Sequence, residues 1–281
     1  MIATEQKKVR EHKIIDAHPI IGSLLFMIVM YIPVNLIVSV NLPFSMFIPG
    51  YPQTGPIGVI LAFLIGNLLY TWWFRPDAES LLKGGNVGAA GPFIPLFVLL
   101  WVLSEGAEIF LGDLKLAVPS ITSICTAITA GFLEEFFFRG MIIAPMMRKD
   151  ADQKRVLTAL LFSSAVFGLV HGTNVFAGAP VDSSIMQVGS SFALGIAFGA
   201  VFLVTGNLWA PAILHTVHDI IAFSNVGSTT ESGVITHGVT LGSWVDLALC
   251  AALAIFAILY LKKENVMDSV LRLWRQKWHK S

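Results

Sequence analysis

The sequence predicts an all-α polytopic membrane protein of about eight transmembrane helices, with a polar site inside the bundle. Three observations predict it. The 281 residues are 55% hydrophobic and only 13% charged, whereas a soluble domain carries roughly 25% charged residues. Apolar runs of spanning length, about 20 residues, recur along the chain. Ionisable residues interrupt those runs: Glu134, Glu135 and Arg139, then His171, then His215 and Asp219. Charge at membrane depth is costly, so such residues are functional candidates by default.

The elements follow in order. Residues 1–18 form a polar tail, and no small-residue cleavage site follows the first apolar run, so no cleavable leader is expected. The transmembrane domain is 19–261, with spans at 19–40, 57–74, 93–111, 118–142, 156–176, 185–205, 208–225 and 242–261. Glu105 and Glu108 stand toward the outer end of the third span and are assigned no role. The Glu-Glu pair lies in the fourth. Residues 171–184, with Pro180, read as an external loop. The sixth span carries Ser191, Gly195 and Gly199 at four-residue spacing, a pattern of close helix packing. Only Thr205-Gly206-Asn207 joins it to the seventh, which requires a tight turn. Cys125 and Cys250 lie in apolar runs and read as packing residues. In the tail 262–281, Met267, Val270, Leu271, Trp274 and Trp278 alternate with bases, which predicts an amphipathic helix on an anionic membrane surface.

Charge fixes an orientation. Lys7, Lys8, Arg10, Lys13, Arg75, Lys83, Arg148, Lys149, Lys154, Arg155, Lys262, Lys263, Arg272, Arg275, Lys277 and Lys280 all fall on one side of an eight-span protein. The other side has Lys115 alone, and Arg139 is within a span. Excess Lys and Arg mark the cytoplasmic side, so both termini are expected there. Net charge is zero, which gives no basis for a nucleic-acid partner. Membrane lipid is the expected surrounding.

At 100° per residue, Glu135 and Arg139 share a helix face at i and i+4. Glu134 is rotated away by one step, leaving its carboxylate free to act as a base. The alternative is that all three form a structural ion cluster. In the seventh run, Asp219 is i+4 from His215 and is placed to orient it. His218 lies on the same arc.

Glu134-Glu135-x-x-x-Arg139, Phe167-x-x-x-His171 and His215-x-x-x-Asp219 resemble the motif set of the CPBP family of intramembrane proteases, the CAAX protease and bacteriocin-processing or Abi family. The segment Gly206-Asn207-Leu208-Trp209-Ala210-Pro211 resembles the approach to that family's last motif. The resemblance covers about 118–225. It implies an intramembrane endopeptidase acting on a membrane-associated peptide or protein, of the CAAX or bacteriocin-processing type. Glu134 and His171 would activate water, His215 and Asp219 would stabilise the oxyanion or assist the leaving group, and Glu135 and Arg139 would hold the motif helix. One departure stands out: the last motif commonly ends in Asn, and Asp219 donates a hydrogen bond only when protonated.

The same residues admit a zinc peptidase, with Glu134, His171 and His215 as a His₂Glu set, although no HExxH helix is present. No cofactor is certain, and zinc is the alternative. A non-proteolytic scaffold or immunity protein, and a transporter with a proton relay, are the remaining readings. The expected location is a bacterial cell membrane.

Overall fold

A computed structural model describes residues 12–40, 46, 55–112, 116–149, 151–225, 229–230 and 233–278. A short helix α1 (Lys13–Ala17) leads into α2 (Pro19–Val38). Then come α3 (Pro56–Trp73), α4 (Ile94–Leu111), α5 (Ile121–Met146), α6 (Gln153–His171), α7 (Val181–Thr205), α8 (Trp209–Ala222), α9 (Leu241–Leu261) and α10 (Glu264–Lys277). Among the described residues, seven helices are long and apolar enough to cross a membrane. Leu36, Leu68, Val102 and Leu259 are exposed on their outer faces, as lipid-facing positions are. The chain is an integral membrane protein.

The run expected at 208–225 is α8, with only 14 residues, short of the roughly 20 that a span requires. Its start is fixed by the turn before it. Gly206 ends α7 in the left-handed region at φ 60°, where glycine carries no Cβ penalty. The Asn207 side-chain oxygen then accepts from the Trp209 N–H at 2.9 Å. One face of this helix is buried, with Ala210, Pro211, Ala212, His215 and Thr216, while Ile213 on another face is exposed. The helix packs mainly on α5, while α6 and α9 pack along α7.

Two details of the bundle position the site. From Phe136 to Ile143, α5 is wound as a π-helix, a form that recurs at functional sites. The Ser163 hydroxyl of α6 donates to the Phe138 carbonyl there, at 2.7 Å. Second, small residues bring neighbouring helices together. A Cβ on Gly195 would meet Ser164 and Phe167 of α6 at 3.1–3.2 Å. The four-residue spacing of small residues in α7 is thus a packing seam.

Both described ends of the chain sit on one face of the bundle. Arg148 pairs with Asp16 of α1 and, at 3.0 Å, with Asp77. The amphipathic tail helix α10 differs from its expected place on the lipid surface. Met267, Val270 and Trp274 are buried in the protein core. The Trp274 indole donates to the Leu203 carbonyl at 3.0 Å, and Trp278 to Ala144 at 3.2 Å. The Lys277 ammonium, which burial pushes below its ordinary pKa, donates to the carbonyls of Ser80 and Lys83. The apolar face of α10 therefore caps the bundle's basic end. Cys125 and Cys250 are buried free thiols.

Candidate active site

Every motif residue of the sequence comes to one cavity, or to the wall behind it. The cavity has a volume of about 400 Å³ and is lined by Glu134, His171, His215 and Asp219. The one-step rotation between Glu134 and Glu135 has the predicted result. Glu134 faces the cavity with its side chain 33% exposed, while Glu135 is fully buried. Glu135 Oε2 lies 3.1 Å from Arg139 Nε, the pair read from their i, i+4 spacing.

The structure gives Glu135 a second partner. Its Oε1 is 2.9 Å from His215 Nδ1. A carboxylate paired with arginine accepts, so Nδ1 is the donor and Nε2 is the ring nitrogen left to the cavity. Nε2 is 3.8 Å from Glu134 Oε2 and 3.6 Å from Asp219 Oδ2. The sequence reading placed Asp219 as the group that orients His215. That place belongs to Glu135, whose contact is shorter and buried, and Asp219 stands on the open side of the ring.

Aromatic surfaces fix the remaining degrees of freedom. His215 stacks on Phe198 with ring centroids 4.8 Å apart and planes 16° apart. Phe167 meets His215 edge-on at 5.7 Å and His171 at 4.7 Å. The Arg139 guanidinium lies 4.6 Å above the same Phe167 ring and donates to the Gly195 carbonyl at 3.2 Å. Phe167 thus touches three motif side chains, which gives the Phe in Phe167-x-x-x-His171 a physical reason. The Phe167 carbonyl is 2.9 Å from His171 Nδ1. A carbonyl only accepts, so His171 Nδ1 is a donor, and in the neutral ring Nε2 carries the lone pair.

Among the lining residues, Trp101, Phe198 and Asp246 went unnamed in the sequence reading, and Glu105 and Glu108 were given no role there. Trp101 of α4 donates its indole N–H to His218 Nδ1 at 3.1 Å, so His218 faces a neighbouring helix. Glu105, Glu108 and Asp246 also line the cavity. Asp246 accepts from Ser104 at 2.8 Å, and Glu108 from Asn225 at 3.0 Å. Charged residues in the third span were the available signal, since intramembrane carboxylates are rarely idle. Phe198 carried no signal beyond its apolarity.

The alternative zinc set fits poorly. Among the described residues, no group of three His, Cys, Asp or Glu side chains lies close enough to hold a metal ion. The bond from His215 Nδ1 to Glu135 leaves Nε2 as the nitrogen that a metal would take, and is itself neutral between the two readings.

Comparison with known proteins agrees with the motifs. The model of a family described as type II CAAX prenyl endopeptidase Rce1-like matches residues 117–221, the segment from the start of α5 to the end of α8. No curated protein matches the chain, and no solved structure does. The three motifs all lie within the matched segment, and over residues 117–221 this integral membrane protein is similar to the Rce1-like CAAX protease family.

Proposed function

We propose that the chain is an intramembrane endopeptidase that hydrolyses a peptide bond in a membrane-associated peptide or protein. The observation that carries this reading is the convergence of Glu134, His171, His215 and Asp219 on one cavity, with Glu135 and Arg139 buried behind them. Water held between Glu134 and His171 gives up a proton to one of them as its oxygen attacks the carbonyl carbon. The base needs to be partly shielded from water and within reach of it, and Glu134 has that environment. The resulting oxyanion requires donors fixed before the reaction. His215 Nε2 is such a group when protonated, since Glu135 and Phe198 hold its ring on two sides. Asp219, protonated, supplies a second donor or returns the proton to the leaving amine. Glu135 and Arg139 position the histidine and touch no reacting atom.

Zinc is the second reading of the same site. Glu134, His171 and His215 would hold it and it would polarise the carbonyl; the Nδ1 bond of His215 suits either mechanism, and the spread of the three groups favours direct acid–base catalysis. A scaffold role is the third, and it leaves the cavity-facing carboxylate of Glu134 without a purpose. Mapping of protein termini in cells with the active chain and in cells with Glu134→Ala tests hydrolysis, with metal content measured on both purified forms. Termini that depend on Glu134 are expected. Their absence sinks the proteolytic reading, and bound zinc lost with Glu134→Ala would replace direct acid–base catalysis by the metal mechanism.

A further inference from the structure

The residues lining the cavity extend to one end of the bundle. The cavity rim is built from Glu105 on the last turns of α4, Asn174 after α6, Gln187 on the first half of α7, Asn225 after α8, His237, and Asp246 near the start of α9. All of these belong to one end of the bundle. The opposite end is closed by Trp274, Lys277 and Trp278, whose side-chain hydrogen bonds reach Leu203, Ser80, Lys83 and Ala144.

Charge identifies the two ends. Of the thirteen described Lys and Arg residues, Arg139 is inside the bundle and the other twelve cluster at the closed end: Lys13, Arg75, Lys83, Arg148, Lys149, Lys154, Arg155, Lys262, Lys263, Arg272, Arg275 and Lys277. No Lys or Arg lines the cavity. Basic loops stay on the cytoplasmic side, so the closed end is cytoplasmic and the open end is not.

We propose that the cavity takes its substrate from the extracytoplasmic face, so that the chain cuts extracytoplasmic segments of polypeptides at the membrane and does not process a prenylated tail delivered from the cytoplasm. The choice of substrate rests on the proteolytic reading above, whereas the side of entry rests on geometry and charge alone. A route from the cytoplasm would require α10 to leave its seat, exposing Trp274 and Trp278 and stripping the Lys277 ammonium of both carbonyls.

The test uses the full chain in cells, with Cys125→Ala and Cys250→Ala removing the native thiols. Ser190→Cys places a thiol on the cavity wall and Ser269→Cys one on the exposed face of α10. A membrane-impermeant maleimide should label Ser190→Cys to the same extent in intact and permeabilised cells, and Ser269→Cys only after permeabilisation. The reverse pattern overturns the proposal. Should the Ser190→Cys chain fail to accumulate, Thr173→Cys on the same rim gives the same readout. Termini that depend on Glu134 should map to extracytoplasmic segments, and cuts confined to cytoplasmic C-terminal tails would overturn the substrate assignment. If no termini depend on Glu134, the proteolytic reading fails, and the label alone then decides the side of opening.

Discussion

Two adjacent carboxylates differ here because one helical step separates them. Glu134 looks into the cavity and Glu135 into the core. Glu134→Gln keeps the shape and removes the base. Cleavage should fall by about 10²–10⁴-fold with an unchanged melting temperature in detergent. Glu135→Gln should do the opposite first. It leaves Arg139 buried without its anionic partner, a change that typically costs about 3–5 kcal/mol, read as a lower melting temperature and a lower folded yield. Full stability with activity lost only in Glu135→Gln would exchange the two roles. Asp219→Asn separates donor from anion. If Asp219 works as a protonated donor, Asn supplies a permanent N–H, and activity should persist, most visibly at high pH where the acid ionises. A pH–rate profile with metal content alongside checks it, and joint loss of metal and activity would mean that the negative charge is required. Much of this was legible in the sequence, since 100° per step separates Glu134 from Glu135 and pairs Glu135 with Arg139. The Glu135–His215 bond was not, because eighty positions separate the partners and no local periodicity encodes which helices meet.

The site depends on how closely α5 and α8 approach. A Cβ on Gly131 would sit 2.1 Å from Thr216 Oγ1, 2.6 Å from the Thr216 nitrogen and 2.8 Å from the Ala212 carbonyl oxygen. Two of those atoms are backbone and cannot swing away. Gly131→Ala must push α8 outward, carrying His215 and Asp219 with it. Overpacking of this kind costs about 1–3 kcal/mol, and activity should fall with the melting temperature even though no motif residue has changed. Full activity in Gly131→Ala would show that the two helices are free to separate. The apolar runs were readable from composition, because lipid and a buried helix wall both demand apolar side chains. That same ambiguity hid the length of α8: a run of apolar residues at 208–225 reads as a span whether lipid or protein surrounds it. The π-helical winding of Phe136–Ile143 left no mark in a stretch of uniformly apolar residues around Arg139.

For the whole molecule, the split in charge makes a topological prediction. Reporter fusions at positions 85 and 152 should read cytoplasmic and one at 178 external. An external signal from 152 would contradict the orientation. The closure of the basic end is equally open to measurement. Trp274 is fully buried, and Trp274→Ala should cost about 3–5 kcal/mol, seen as a lower melting temperature. The sequence showed the apolar stripe of α10 but not what it covers, since the stripe suits lipid and protein alike. The place of α10 also sets an order of assembly. Its anchors on Ser80, Lys83, Ala144 and Leu203 belong to segments made long before it. During synthesis, which proceeds at about 5–20 residues per second, every span leaves the ribosome before the helix that stoppers them. The carbonyls and apolar surface that seat α10 are therefore left uncovered throughout insertion, until the tail folds back onto them.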